Sequence, residues 1–332
     1  MDCFEYRDGV LWCEDLSVEE LAARFGTPLY VYSRRTFVDH FVRMREAFAA
    51  LDPLMCYSIK CCQNIHICRL LRELGSGFDV VSGGELYRAL RAGADPAQIV
   101  FAGVGKTEQE IHEALDAQVG LFNLESESEA EQLIELAGGR GMLANAALRV
   151  NPDVDPKTHR YTTTGRKETK FGVDLGRARE AFRRYAYAES LRLRGIHLHI
   201  GSPVNDVNAY VHSLERGLEL LDRLQREGFE IDTIDIGGGY GAHYQGHEAP
   251  TAAQYADAIV PLLRDRELRV ILEPGRSIAA NAGIIVTRVL HVKQSGGRRF
   301  VIADASMNEL IRPALYGAYH FVWPVKAGDF AP

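Results

Sequence analysis

Short apolar runs alternate with longer segments of helical periodicity between residues 55 and 274 of this chain. Strands that alternate with helices form parallel sheets, because each helix returns the chain to the same edge. Eight such units predict a closed (β/α)8 barrel, whereas a doubly wound open sheet, the alternative, usually has fewer. The predicted strands are 55–60, 78–82, 98–103, 120–125, 146–151, 194–200, 232–237 and 269–274, and the predicted helices are 64–74, 84–92, 107–117, 128–137, 175–187, 208–227 and 252–265.

The two ends of the chain do not follow this repeat. Residues 1–27 precede the first predicted helix and contain a strand-like run at 10–13, and residues 282–305 read as two strands, 283–293 and 299–303. Both ends are therefore expected to contribute to a separate, partial β domain. The predicted segments are an N-terminal β segment at 1–27, the barrel at 28–281 and a C-terminal β segment at 282–332.

Composition excludes several classes of partner. The 332 residues carry a net charge of −7, and no long run of Lys or Arg is present, which argues against a nucleic-acid surface. No apolar run approaches membrane-spanning length, and the acidic N-terminus lacks the features of a signal peptide. The expected location is the cytoplasm, with no nucleic acid and no membrane as partner.

Six cysteines occur, and in a cytosolic chain of this size they are expected to be reduced. The cluster Cys61, Cys62, His66 and Cys68 suggests zinc, but it lacks the paired C-x-x-C spacing of zinc sites. We interpret these residues as small side chains at a strand end and in the helix that follows. No metal is predicted.

Lys60 ends the first predicted barrel strand, in the run 55–60. A lysine desolvated at such a position has a lowered pKa and can act as a Schiff-base nucleophile. A single lysine is weak evidence, but other chemically capable motifs end later strands. In a parallel barrel these ends share the face where active sites are built. The motifs are 78–85, 197–202, 237–239 and 273–276.

The glycine motif 237–239 follows the seventh strand. Three glycines leave backbone N–H groups unobstructed and can form a nest for a phosphate, although a tight turn is the alternative. We favour phosphate binding by Gly238 and Gly239, because Lys60 and Glu273 are expected nearby. Ser202 could add a hydroxyl group to the same phosphate.

Glu273 ends the eighth strand, where a carboxylate is costly to bury without a partner. A protonated pyridine nitrogen is such a partner, and the pair keeps the ring cationic, so that it accepts electrons from a substrate carbanion. Taken with Lys60 and the phosphate nest, this predicts pyridoxal 5'-phosphate as cofactor. A purely structural pair with Arg276 is the alternative.

Two histidines and one aspartate are further candidates. His197 and His199 point to the same face of their strand, because side-chain direction has a period of two. One of them could face the barrel interior and stack on the cofactor ring, although a hydrogen-bonded core histidine is the commoner case. Asp79 is a polar residue on a short buried strand and is predicted to bind the cofactor, with a structural hydrogen bond as the alternative.

The segment 152–174 is long for a loop in a compact domain, and such loops are usually functional or disordered. We interpret it as an active-site loop, with a mobile surface loop as the alternative. Arg312 and Tyr316 lie in a later segment. An arginine can bind a substrate carboxylate through a bidentate fork, whereas a surface ion pair is the alternative.

With these residues in place, the chain resembles the fold-type III pyridoxal phosphate enzymes, which have an alanine racemase-like barrel, from about residue 27 to residue 323. Within them it is most similar to the diaminopimelate decarboxylases. General motifs of the fold type are 57–60, 79–85, 199–202, 237–239 and 273–276, and more specific ones are 151–159, 164–172 and 308–316 with Tyr319 and His320.

The resemblance implies decarboxylation of meso-2,6-diaminopimelate to L-lysine by a barrel with a β domain, usually as a head-to-tail homodimer. Lys60 and His199 would be catalytic: Lys60 would hold the cofactor as a Schiff base, and His199 would stack on its ring. Glu273 would pair with the pyridine nitrogen. The phosphate would be held by Ser202, Gly239, Gly275 and Arg276, and substrate carboxylates by Arg276, Arg312 and Tyr316.

Three departures from the family pattern keep alternatives open. Cys61 and Cys62 replace the usual Ala-Asn, Pro203 replaces a common Gln, and the family continues beyond Pro332 with a Cys-Glu-Ser segment and a late Tyr. The chain could therefore be a truncated, non-catalytic protein that binds pyridoxal phosphate. A decarboxylase for another basic amino acid or a carboxy-polyamine is the second alternative. An amino-acid racemase of this fold is disfavoured. In those enzymes the ring nitrogen of the cofactor pairs with an Arg, whereas this chain has Glu273 at the corresponding place.

Overall fold

The computed structural model describes residues 2–154, 170–244 and 248–327. Its strands are β1 (Phe4–Arg7), β2 (Val10–Cys13), β3 (Leu16–Ser17), β4 (Leu29–Tyr32), β5 (Leu54–Ser58), β6 (Gly77–Val80), β7 (Ile99–Phe101), β8 (Leu121–Leu124), β9 (Ala144–Asn151), β10 (Val173–Asp174), β11 (Leu191–His197), β12 (Thr233–Asp235), β13 (Arg269–Leu272), β14 (Gly283–Val286), β15 (Val289–Ser295) and β16 (Arg298–Ala303). Its helices are α1 (Val18–Phe25), α2 (Arg34–Ala47), α3 (Ile65–Glu73), α4 (Gly83–Arg91), α5 (Glu108–Asp116), α6 (Glu127–Gly138), α7 (Leu175–Tyr185), α8 (Val207–Arg226), α9 (Ala252–Leu263), α10 (Arg276–Ala279) and α11 (Arg312–Tyr316).

The chain divides into two compact units. The larger consists of His40–Gly241 with Ala249–Ile278, and the smaller combines Met1–Asp39, Ala242–Glu248 and Ala279–Pro332. The domain boundaries predicted from the sequence, after residue 27 and after residue 281, stay a prediction.

The larger unit contains a closed barrel of eight parallel strands, as predicted. The strands β5, β6, β7, β8, β9, β11, β12 and β13 pair in this order, and β13 pairs again with β5, which closes the ring. The two-residue strand β10 adds to the outside of β9. Because all the barrel strands run in one direction, their carboxyl ends meet at a single rim.

Two layers of inward-facing side chains fill the barrel. An apolar layer of five buried residues comes first, formed by Cys56, Val100, Leu121, Ala147 and Ile271. A polar layer follows. In four of these segments the residue two positions later, which faces the same way, is a buried polar residue. These residues are Ser58, Asn123, Arg149 and Glu273. The barrel interior thus changes from apolar to polar towards the carboxyl rim.

The helices between the barrel strands all begin at a side-chain cap. Each cap oxygen accepts a hydrogen bond from a backbone N–H of the first turn, an arrangement worth about 1 kcal/mol per helix. Thr107 and Thr251 form full capping boxes with Glu110 and Gln254. The caps of α3 to α9 are Asn64, Ser82, Thr107, Ser126, Asp174, Asp206 and Thr251.

The smaller unit is built from both ends of the chain, as expected. β1, β2 and β3 form an antiparallel sheet, and β4 from the N-terminal part pairs with β14 from the C-terminal part. β15 and β16 form a hairpin with exposed side chains. A core of six buried residues joins the first sheet, α1 and the β4–β14 pair: Phe4, Leu11, Cys13, Val18, Val31 and Val286.

Two sequence expectations about the ends were wrong, and one helix was missed. Helix α1 lies inside the segment expected to precede the first helix, where Ser17 caps it. Helix α2 was not predicted. The single strand expected at 283–293 is two strands, β14 and β15, which pair with different partners. Among the described residues, no helix is both long and apolar enough to cross a membrane.

Candidate active site

Lys60 follows β5 in a short 3-10 turn at the carboxyl rim of the barrel. Its Nζ atom donates a hydrogen bond of 2.5 Å to Oδ2 of Asp79, which also accepts one of 2.6 Å from Ser58 Oγ. Asp79 is fully buried, whereas the Lys60 side chain is 47% exposed. Asp79 therefore holds the amine in place while the amine stays accessible from the rim.

The predicted lowering of the Lys60 pKa was wrong. Burial lowers the pKa of this amine, but the negative charges of Asp79 and Glu273 outweigh burial and raise it above its usual value. Burial and the charge of Glu273 in turn raise the pKa of Asp79, against the opposing effect of Lys60. In this arrangement Lys60 is a protonated ammonium group, and its nucleophilicity depends on its two acidic neighbours.

Glu273 directly follows β13 and is almost completely buried. Its Oε2 lies 3.5 Å from Nε2 of His197, at ion-pair distance. Burial would raise the pKa of Glu273, but the neighbouring His197 and Lys60 lower it. The site thus places a buried carboxyl group deep in the barrel mouth, with neighbours that favour its ionised form.

His199 lies just beyond the end of β11 and is half-buried. Its ring is 6.4 Å from that of His197 and inclined to it by 51°. Burial and the nearby charge of Arg149 lower the pKa of His199 well below its usual value. A neutral imidazole at this position suits packing against an aromatic ring. His197, His199 and Glu273 also place ligand atoms within 4.8 Å of one another, a donor set that could hold Zn²⁺.

The glycine turn after β12 packs closely on neighbouring backbone. A Cβ atom on Gly238 would lie 2.2 Å from the carbonyl oxygen of Glu273, and one on Gly239, whose φ is +95°, would lie 2.1 Å from that of Gly201. Only glycine fits here. The Gly237 N–H donates to Asp235 and the Gly238 N–H to His199 Nδ1. Two of the three backbone N–H groups of the expected nest thus have partners within the protein. Phosphate binding at this turn stays a prediction.

Ser202 and Arg276 meet beside this turn. The Nε atom of Arg276 donates a hydrogen bond of 3.0 Å to Ser202 Oγ. A Cβ atom on Gly275 would lie 2.4 Å from the Sγ atom of Cys61, so the chain after β13 passes directly against the residue after Lys60. The structure thus brings together the predicted phosphate-binding side chains at one side of the rim.

Sequence reasoning missed several buried polar residues below the rim. Asn123 on β8 donates to both Asp235 and Glu273, and Arg149 on β9 pairs with Glu125 at 2.6 Å. Their signal was a polar residue two positions after an inward-facing apolar one, in Leu121-Phe122-Asn123 and Ala147-Leu148-Arg149. Alternation within short strands could have located them.

Part of the predicted active-site loop lies outside the described residues, namely 155–169, which includes the motif residues Lys157, Thr158 and His159. The described end of the loop is tied to the rim. The Gly172 N–H donates 2.8 Å to Oε2 of Glu125, and the guanidinium of Arg149 lies 4.6 Å from the Phe171 ring. The Glu125–Arg149 pair thus fixes the point where the loop returns to the barrel.

The two remaining candidates, Arg312 and Tyr316, belong to the smaller unit. They lie at the two ends of α11, where the guanidinium of Arg312 is 5.5 Å from the Tyr316 ring centre. Their binding of substrate carboxylates stays a prediction. All six cysteines are free thiols in the structure, and Cys61 is exposed.

Comparison with known proteins agrees with this geometry. A family model described as the pyridoxal binding domain of pyridoxal-dependent decarboxylases matches residues 34–280. The rim of this barrel, with its lysine and its buried carboxyl group, is thus that of a pyridoxal-dependent decarboxylase.

Individual relatives show which kind of pyridoxal-dependent decarboxylase this chain resembles. The chain is 49% identical to diaminopimelate decarboxylase of Aquifex aeolicus over 98% of this chain and 77% of the relative, and 47% identical to that of Neisseria meningitidis serogroup A over 97% and 79%. A crystal structure of diaminopimelate decarboxylase from Helicobacter pylori complexed with L-lysine matches with a TM-score of 0.88 and 39% identity, over 91% of this chain and 76% of that one. The chain belongs to the diaminopimelate decarboxylase family.

Proposed function

We propose that this chain decarboxylates meso-2,6-diaminopimelate to L-lysine with pyridoxal 5'-phosphate as cofactor. The observation that carries the proposal is that Lys60, hydrogen-bonded to Asp79, and the buried carboxyl group of Glu273 lie at one barrel rim, in a chain 49% identical to a diaminopimelate decarboxylase. The L-lysine in the Helicobacter pylori structure is the product of this reaction, which supports the same assignment.

The residues at the rim fit this cofactor. Glu273 provides a buried carboxylate for a protonated pyridine nitrogen, and Asp79 keeps one carboxylate oxygen, Oδ1, buried and without a hydrogen-bond partner among the described residues. The glycine turn leaves no room for side chains beside Ser202 and Arg276. We therefore assign Lys60 to the cofactor aldehyde, Asp79, His199 and Glu273 to the ring, and Ser202, Gly238, Gly239, Gly275 and Arg276 to the phosphate.

When bound, pyridoxal phosphate supplies an electron sink for the electron pair left on the substrate carbon as CO2 departs. The protein supplies orientation and charge. Glu273 would keep a proton on the ring nitrogen, because an ionised carboxylate stabilises a cation beside it. His199, whose pKa is lowered, would pack against the ring without adding a charge. Lys60 Nζ, bound to Asp79, holds a proton at the rim.

The substrate has an amino-acid group at each end, so the site must bind one carboxylate while the other is lost. We assign Arg276, Arg312 and Tyr316 to substrate carboxylates, since a guanidinium binds a carboxylate through two parallel hydrogen bonds. Replacing Arg312 by Met should raise KM for diaminopimelate with little change in cofactor affinity. An unchanged KM would remove Arg312 from the substrate site.

We also infer that the chain acts in the cytoplasm and as a homodimer. Large apolar side chains of the smaller unit are exposed, among them Val322 at 90%, Met307 at 64% and Ile311 at 54%. Exposed apolar surface of this kind marks interaction sites. Light scattering coupled to size-exclusion chromatography should give twice the 36.9 kDa mass of the chain, and a single-chain mass at micromolar concentration would contradict the dimer.

The function is tested by supplying the purified protein with pyridoxal phosphate and comparing amino acids as substrates. We expect CO2 from meso-diaminopimelate and none from lysine or ornithine. Lys60→Ala should abolish release, because no other side chain is assigned to the cofactor aldehyde. Lys60→Arg is the matched control: it keeps the charge beside Asp79 and should also be inactive. Near-normal turnover in either variant would refute the assignment.

A further inference from the structure

Asn123 connects two acidic side chains in the centre of the barrel. Its Nδ2 group donates one hydrogen bond of 2.8 Å to Asp235 Oδ2 and another of 3.2 Å to Glu273 Oε1. Asn123 and Asp235 are fully buried, and Glu273 is 4% exposed. Because these groups are buried away from solvent, such hydrogen bonds determine the position of the Glu273 carboxyl group.

Asp235 extends the same network to the glycine turn. Its Oδ1 atom accepts a hydrogen bond of 2.9 Å from the Gly237 N–H, at the start of the turn assigned to the phosphate. One carboxyl group therefore contacts both the amide that holds Glu273 and the backbone that leads to Gly239. A shift of Asp235 would move both ends of the cofactor site together.

Asn123 Nδ2 bridges Asp235 and Glu273, and two buried carboxyl groups held by one amide disfavour each other's ionised form. Burial, the charge of Glu273 and a hydrogen bond with Glu273 raise the pKa of Asp235 well above its usual value, whereas the pKa of Glu273 is lowered. These opposite directions favour a proton on Asp235 over one on Glu273. The Gly237 N–H and Asn123 Nδ2 both donate to Asp235 whichever group carries the proton.

We propose that Asn123 and Asp235 are positioning residues: they hold Glu273 as the carboxylate that faces the cofactor ring and couple it to the phosphate turn. The inference rests on the proposed function, but it concerns the bound cofactor and can be tested without substrate.

The test compares cofactor spectra and kinetics of holoenzyme variants. Asn123→Leu removes both donated hydrogen bonds at similar volume and should lower kcat at least tenfold, with KM changed less than twofold, and alter the absorption spectrum of the bound cofactor. Asp235→Ala should do the same. Asp235→Asn keeps a neutral donor and acceptor and should retain kcat within a few fold.

Asp232→Asn is the matched control, because Asp232 lies three residues earlier, is partly exposed and pairs with Arg194. It should leave the spectrum and kcat unchanged. If Asn123→Leu does not fold, the near-isosteric Asn123→Asp, which replaces the shared donor by an acid, should lower kcat and alter the spectrum likewise.

Two results would overturn the proposal. Spectra and kcat unchanged in Asn123→Leu and Asp235→Ala, with only thermal stability lowered, would reduce both residues to a structural role. Asp235→Asn as damaging as Asp235→Ala would contradict a role of Asp235 that depends on its hydrogen bonds. Failure of the parent protein to release CO2 would refute the decarboxylase, whereas the spectra of the variants would still decide the positioning role.

Discussion

Asp79 and Lys60 form a hydrogen bond of 2.5 Å in which one partner is fully buried and the other is open to the rim. The buried partner fixes the direction of the amine, and Ser58 in turn fixes Asp79. This arrangement places the nucleophile accurately, but it also stabilises its protonated, unreactive form. Cofactor binding must therefore compete with the Lys60–Asp79 pair.

Asp79→Asn should make Lys60 react with pyridoxal phosphate at lower pH. The carboxylate raises the pKa of Lys60, so its removal lowers that pKa and increases the neutral fraction of the amine at any pH below it. The pH midpoint of borohydride-trapped cofactor attachment should shift downwards. Asp116→Asn, a surface change, should leave the midpoint in place. A midpoint that is unchanged or higher in Asp79→Asn would contradict the pairing.

Glu273→Gln should reduce kcat by about a hundredfold or more, with a much smaller effect on KM. Gln keeps the shape of the side chain but removes the charge that stabilises the ring cation, and losses of single electrostatic groups in active sites are of this size. Steady-state kinetics with diaminopimelate would measure kcat and KM of the variant and of the parent protein. A kcat within a few fold of the parent value would place the pyridine nitrogen elsewhere.

Arg149→Met should destabilise the protein by about 3–5 kcal/mol, because it leaves Glu125 as an uncompensated buried charge. The double variant Glu125→Gln with Arg149→Met should recover part of this loss. Urea denaturation measures the free energy of unfolding of the single and the double variant. The exposed pair Arg177–Glu127 offers the control, since Arg177→Met should cost no more than about 1 kcal/mol. Equal effects at the two arginines would contradict the burial argument.

Gly239→Ala should weaken pyridoxal phosphate binding about tenfold or more. Alanine is strained by roughly 1–3 kcal/mol at a φ of +95°, and its Cβ would clash with the Gly201 carbonyl. Gly105→Ala is the control, because a Cβ there meets nothing within 4 Å. Equilibrium titration of cofactor-free protein gives both dissociation constants. Equal affinities would remove Gly239 from the phosphate site.

The barrel could be predicted from the sequence because each unit carries its own local signals. The eight strands are short apolar runs, and their helices have amphipathic patterns and polar caps such as Thr107. Helix α1 was missed although Val18, Leu21, Ala22 and Phe25 follow the i, i+3, i+4, i+7 spacing of an amphipathic helix, so its pattern was available in the sequence. The strand expected at 283–293 is split because its two halves have different partners. β14 pairs with the distant β4, whereas β15 pairs with β16, which follows it directly.

The positions of Lys60, Asp79 and Glu273 at strand ends could also be predicted, since the ends of parallel strands converge. Their electrostatics could not. The pKa of Lys60 depends on the distances to Asp79 and Glu273, and these are set by the closed barrel. The contacts of Asn123 with Asp235 and Glu273 are likewise invisible in the sequence, because the residues are 112 and 150 positions apart.

The most direct test of the account is CO2 release from meso-diaminopimelate by the purified chain with pyridoxal phosphate, with L-lysine measured as the second product. We predict equal amounts of CO2 and L-lysine, no release from lysine or ornithine, and complete loss in Lys60→Ala. Release from lysine or ornithine instead of diaminopimelate would contradict the assigned substrate. No release from any of them would contradict the decarboxylase itself.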